Sequence, residues 1–207
     1  DTIPIGDATA TLREGVESAV GEIGGIALEN VQARIRGDVL MTIANHRDAL
    51  VVTPDNKSEA AVGYCTLYGD TVGALAPLGD CYKTLVYELA ECYNAEPPAG
   101  ADAPVIPERV IEKPPTAELR EGQTDADDLP PYDQLDPVLR AYIHGHETGD
   151  ALREAYPDDV VDEALARLTR SEFKRWQTPP ALRITQKAFG RGWKYPIAAD
   201  YDELRGI

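Results

Sequence analysis

The segment Thr53-Pro-Asp-Asn-Lys-Ser-Glu59 holds the most chemistry per residue in this sequence. It joins an apolar run to the start of a helical pattern. Ligands of open α/β sheets bind at such junctions, where free helix N–H groups face phosphate. A carboxylate placed there, Glu59, could hold Mg²⁺ and bridge it to phosphate oxygens. Asn56 and Glu59 are equally well spaced to be N-cap and N3, so Glu59 could instead only close a capping box. Lys83 starts a later helix, where the dipole disfavours a cation unless an anion shares the site. Arg34 and Arg36 lie on a helix and could pin a phosphate or carboxylate by paired bonds, or simply be solvated. Lys113-Pro-Pro-Thr-Ala-Glu-Leu-Arg120 offers the Thr116 hydroxyl and flanking bases on a stiff loop, and Gln123-Thr-Asp-Ala-Asp-Asp-Leu-Pro-Pro-Tyr132 offers carboxylates that could equally be a solvated run. His144 and His146 have no third ligand nearby and read as a helix end followed by a glycine stop.

The elements that must position these groups follow from periodicity. Leu28, Val31, Ile35, Val39 and Ile43 recur every three or four residues, which predicts a helix ending at Asn45–Asp48. Ala49–Thr53 is a continuous apolar run of the kind found in buried parallel strands, and Val72–Leu78 is a second. Thr2–Ile5 is also compatible with a strand. A short helix opens at Asp55–Glu59, and another follows Asp80, a plausible N-cap, carrying Tyr82, Leu85, Val86, Leu89 and Tyr93. The alternation predicts an α/β protein with a Rossmann-like parallel sheet between helices, incomplete at its N-terminal side. Residues 94–131 hold eight of the 16 prolines, so this stretch is a long loop with at most a short helix near Pro107–Glu112. Helical patterns return at Leu135–Ile143, Ala151–Tyr156 and Val160–Phe173, and Gln177–Ile207 has no clear period.

Composition narrows the function. The chain has 207 residues, 43% of them apolar, which supports one packed domain. A net charge of −16 argues against nucleic acid as a partner, since that binding works by neutralising phosphates. No apolar run is long enough to cross a bilayer. Three cysteines without a C-x-x-C pair, and no leader pattern in DTIPIGDATA, lead us to expect a cytoplasmic protein.

Taken together, Ala33-Arg-Ile-Arg36, Asp55-Asn-Lys-Ser-Glu59, Val62–Asp70, Lys83-Thr-Leu-Val-Tyr87, Pro114–Arg120, Asp128-Leu-Pro-Pro-Tyr132, Phe173-Lys-Arg, Ala188–Arg191 and Tyr195-Pro-Ile197 resemble, in collinear order, the synthetase domain of NAD⁺ synthetases. The wording is closer to the glutamine-dependent branch than to the ammonia-dependent one. The resemblance implies an adenine nucleotide alpha-hydrolase-like fold and a carbon–nitrogen ligase, the last step of NAD⁺ biosynthesis. ATP would adenylylate deamido-NAD⁺, and ammonia, free or derived from glutamine, would displace AMP, with Mg²⁺ required and a homo-oligomer expected. It implies ATP contacts for Lys83 and Thr116, deamido-NAD⁺ contacts for Arg34 and Lys174, and an acidic residue near metal and substrate in Glu59. Phe173 stands where the family usually has His or Tyr. Pro54 and Asp55 stand where it has Thr and Gly, so Thr53 must replace the missing hydroxyl or that ATP contact is lost. The family's Ser-Gly-Gly-x-Asp-Ser phosphate loop and nitrilase-like glutaminase domain do not occur in this sequence. The expectation is therefore a part of a synthetase domain (residues 1–207, with 94–131 as its proline-rich active-site loop), inactive by itself. The competing expectation is a non-catalytic nucleotide-binding or assembly subunit of the same fold.

Overall fold

The structure, a computed structural model, describes residues 2–197. Its helices are α1 Gly6–Val20, α2 Ile26–Arg47, α3 Lys57–Val62, α4 Lys83–Ala95, α5 Glu108–Glu112, α6 Tyr132–Ile143, α7 Gly149–Ala155, α8 Asp158–Arg170 and α9 Glu172–Arg175. The core lies where α6 and α8 pack on each other and on α3. Leu135, Val138, Leu139 and Ile143 of α6 recur every three or four residues and are fully buried, facing Val161, Ala164 and Leu168 of α8. Ala61 and Val62 bring the short α3 into the same cluster. Six residues cannot sustain a helix on propensity alone, so α3 exists because of this packing.

The expected strands are mostly not formed. Among the described residues there are only isolated parallel bridges, Val52 with Leu75, Ala76 with Ala181 and Phe189 with Trp193, and no ladder. Three short segments do lie side by side: Ala74 N–H donates to Val51 O at 2.9 Å, Thr53 N–H to Leu75 O at 3.0 Å, and Ala76 N–H to Pro180 O at 3.0 Å. The run at 49–53 was expected to be buried, yet Leu50 is 79% and Val52 57% exposed. A parallel strand reaches full burial only with neighbours on both flanks and both faces, and 51–53 pairs on one side only. Thr2–Ile5 makes no bridge among the described residues.

Three helix expectations also change. Gly6–Val20 is also helical: Ala8, Leu12, Val16 and Val20 recur every four residues, yet the helix buries no residue fully and leans on α2, with an Arg13–Glu17 pair at 2.8 Å. Asp80 does not cap α4, whose N-cap is Tyr82; its carboxylate is fully buried against Lys57 instead. The pattern expected over Val160–Phe173 is broken at Ser171 into α8 and α9. The other helices fall near their expected places, and the proline-rich stretch holds the short α-helix Glu108–Glu112 and a 3-10 turn at Asp125–Asp127.

Gly37, inside α2, sets how closely that helix approaches the 66–70 loop. A Cβ there would meet Tyr68 O at 2.7 Å and Gly69 O at 3.0 Å, both backbone atoms that cannot swing aside. Gly37→Ala is expected to cost about 1–3 kcal/mol by overpacking, read from denaturant unfolding. A variant as stable as the parent would show that the two elements are not in tight contact.

Candidate functional site

A cleft of about 820 Å³ opens between α2, the start of α3, the 63–70 loop and the 116–128 part of the proline-rich loop. Thr53, Glu59, Lys83, Thr116 and Lys174 all line it, so five residues from separate places along the chain converge. Arg34 does not line it; its Nε donates to Leu67 O at 3.2 Å on an exposed face. Arg36 does, and donates to Glu118 O at 3.0 Å, while Gln32 donates to Leu119 O at 3.0 Å. These two bonds tie the proline-rich loop to α2 and form one wall.

Glu59 closes the capping box its spacing predicts. Asn56 Oδ1 accepts from Glu59 N–H at 3.0 Å, and Glu59 Oε2 accepts from Asn56 N–H at 3.1 Å. Its other oxygen accepts from Lys83 Nζ at 3.0 Å. The capping role and a role in the cleft therefore coexist on one side chain. Burial works against the Lys83 charge, but Glu59 outweighs it and holds the ammonium above its ordinary range. The pair lies with each side chain about a fifth exposed.

Lys174 comes from α9 and donates to Gly63 O and Cys65 O, each at 2.7 Å. The approach needs Gly63, which ends α3 in the left-handed region at φ 66°; a Cβ there would run into Ser171. Thr53 is 1% exposed and donates its hydroxyl proton to Asp70 O at 2.7 Å, leaving only acceptor capacity toward a ligand. Thr116 Oγ1 accepts from Glu118 N–H at 3.1 Å. Cys65 lines the cleft as a thiol, pushed up to about 12 by burial and neighbouring carboxylates.

Two carboxylates of the candidate segments Thr53–Glu59 and Gln123–Tyr132 are buried, which the sequence reading did not expect. Asp55 and Asp125 are buried, and among the described residues each has one carboxylate oxygen with no hydrogen-bond partner. Tyr132 OH donates to the other oxygen of Asp125 at 2.8 Å. Burial, then the charges of Asp70 and Glu59, push Asp55 up to about 8. Only its place two residues after Thr53 could have pointed to it; nothing in the spacing marks it as buried.

Asp55 makes stability pH-dependent. A carboxyl at about 8 in the folded chain and 3.8 in the reference state is protonated when folded and ionised when unfolded between those values. The unfolded state then binds fewer protons, so stability is full below that window and falls as pH rises through it. Asp55→Asn should raise the thermal midpoint at about pH 8.5 and leave it unchanged at about pH 4. An equal shift at both values would place the effect elsewhere.

Among the described residues no group of three His, Cys, Asp or Glu converges as a metal centre. Mg²⁺ does not require one, since it is commonly held by one or two carboxylates and the phosphates of its substrate. Glu59 fits that donor set.

The backbone resembles two solved structures at low identity. One is a glutamine-dependent NAD(+) synthetase from Cytophaga hutchinsonii, with TM-score 0.71 and 20% identity, covering 96% of this chain and 34% of that one. The other is the NMN synthetase from Francisella tularensis, with TM-score 0.66 and 24% identity, covering 89% of this chain and 65% of that one. The chain thus shares the fold of these two structures, even though the described residues here form no sheet ladder. At the level of sequence the match is closer. Residues 1–178 fit the NAD synthase family model, and the chain belongs to that family. The glutamine-dependent NAD(+) synthetase of Synechocystis sp. is 45% identical over 199 residues, covering 95% of this chain and 35% of that protein. Its counterpart in Acinetobacter baylyi is 48% identical over 170 residues, covering 82% and 31%. The chain spans about a third of the length of these curated relatives, 35% and 31%.

Proposed function

We propose that this chain is the ATP- and deamido-NAD⁺-binding part of a cytoplasmic, homo-oligomeric glutamine-dependent NAD⁺ synthetase. The observation that carries the reading is the convergence of Thr53, Glu59, Lys83, Thr116 and Lys174 on one cleft. Support comes from the names of the relatives and from an Acinetobacter baumannii glutamine-dependent NAD⁺ synthetase solved with ADP, 39% identical at TM-score 0.50, covering 93% of this chain and 34% of that one. The parallel contacts among 51–53, 74–76 and 180–181 are, on this reading, the rudiment of the expected Rossmann-like sheet.

The chemistry has two steps. The nicotinate carboxylate oxygen attacks the α-phosphorus of ATP, and pyrophosphate leaves with the bonding pair. Ammonia then attacks the acyl carbon, AMP leaves, and the nitrogen loses its extra proton to solvent. Both steps move negative charge onto a leaving phosphate, so preorganised cations are the main requirement. Lys83 and Lys174 supply two, each held by partners that fix its position. Mg²⁺, held by Glu59 and the nucleotide, would supply further neutralisation of phosphate charge.

The test is ATP–pyrophosphate exchange by a full-length protein containing residues 1–207. Exchange that depends on deamido-NAD⁺ supports the reading. Exchange with some other carboxylate, and not with deamido-NAD⁺, overturns the substrate assignment.

A further inference from the structure

Lys57 stands in the middle of the Asn-Lys-Ser-Glu motif and takes no part in the cleft. It is nevertheless fully buried, at the first position of α3, where the helix dipole disfavours a cation. An ammonium in such a place needs several partners to offset its desolvation. It has them. Nζ donates to Asp80 Oδ1 at 2.6 Å, to Thr185 Oγ1 at 3.0 Å and to Lys187 O at 3.0 Å, and lies 3.3 Å from His144 Nε2. Tyr82 and Phe189 present their ring faces at 5.2 and 5.5 Å.

Asp80 grips the same tail segment from the other side. Its Oδ2 accepts from Ile184 N–H at 2.9 Å and from Thr185 N–H at 2.6 Å, and its Oδ1 accepts from Thr185 Oγ1 at 2.9 Å. One buried ion pair therefore holds the backbone of 184–187. Residues 57 and 59 are about 200° apart around a helix of 3.6 residues per turn. Lys57 accordingly faces the tail while Glu59 faces the cleft. With six residues, α3 has little stiffness of its own, so while Ala61 and Val62 anchor its far end in the core, the placement of its first turn depends on what pins that end.

We propose that Lys57 is a positioning residue: through its buried pair with Asp80 it ties the tail segment 184–187 to the first turn of α3, so that seating of the tail sets the placement of Glu59 in the cleft. Only the second readout below rests on the reading of that cleft as an ATP site.

Lys57→Met alone strands a buried carboxylate and can fail to fold. Lys57→Met/Asp80→Leu removes both charges and keeps the branching and approximate length of the two side chains, a kind of change that buried pairs commonly tolerate. Thr185→Val removes only a tail contact. The first readout is amide exchange in the 207-residue chain. Both variants should accelerate exchange at Ile184 and Thr185, and also at Asn56 and Glu59, by about tenfold or more, at an unfolding midpoint near that of the parent. Release of Ile184 and Thr185 with Asn56 and Glu59 unchanged would overturn the proposal, because the pair would then serve stability alone. The second readout is the dissociation constant for Mg·ATP, expected to rise about tenfold or more in the double variant, since small misplacements in a binding site are costly. Unchanged affinity with a loosened α3 would overturn the link to the cleft. If the parent chain binds no ATP while the four amides still respond together, the coupling stands and the functional reading fails.

Discussion

Glu59→Ala abolishes adenylylation on this account, and Glu59→Gln separates the two reasons why it could. The alanine removes a capping box as well as a carboxylate, and loss of a cap costs about 0.5–2 kcal/mol of stability. Glutamine keeps the box, because its side-chain oxygen still accepts from Asn56 N–H. It loses the charge that faces Lys83 and that would meet a metal ion. Both variants should therefore lower ATP–pyrophosphate exchange by about 10²–10³ or more, the scale seen when one preorganised electrostatic group is lost. Both variants lose the Lys83 ion pair, and the alanine variant should be destabilised further by the loss of the cap. Near-normal exchange by a folded Glu59→Gln protein would return Glu59 to a purely capping role.

Lys174→Ala is expected to raise the Michaelis constant for deamido-NAD⁺ by about 10- to 100-fold, as befits loss of a charged hydrogen-bonding group. The constant for ATP should change far less. Lys174 is held by two carbonyls at 2.7 Å, so its ammonium is placed before any ligand arrives. Arg34, assigned to the same substrate by resemblance, lies outside the cleft lining and should show the smaller effect. Equal effects of Lys174→Ala on both substrates would count against the assignment, and a larger effect from Arg34→Ala would reverse the order of the two.

What the sequence reveals depends on whether a residue's partners are local. The helices α6 and α8 are legible because their apolar spacing is itself the packing face, whereas in α2 the stripe marks the helix but Ala33, Gly37 and Ala44, which lie off it, are buried along with Val31. The capping box of α3 is legible because both partners lie within four residues. α1 is absent from the sequence reading although Leu12, Val16 and Val20 recur every four residues; Leu12 and Val20 stay exposed, so that face is not buried in a core. The run at Ala49–Thr53 looks like a buried strand because apolar content alone cannot say whether neighbours flank it on both sides. Asp80 reads as an N-cap because its real partners, Lys57 and the tail, are far away in sequence. The cleft follows the same logic. Local chemistry marked the Thr53–Glu59 junction, Lys83 and Thr116 as candidates, each with a bland alternative; Lys174 rested on the resemblance alone, and that the five meet is visible only in three dimensions. Asp55 and Asp125 carry no local mark of the burial that sets their chemistry.

The central claim is that an adenine nucleotide occupies the cleft between α2, α3 and the proline-rich loop. Amide exchange of the 207-residue chain with and without saturating Mg·ATP tests it most directly. The account predicts slowed exchange at the start of α3, along the 63–70 loop and across 116–128, with the surface of α7 unchanged. Protection confined to residues outside these segments, in a chain that does bind ATP, would contradict it.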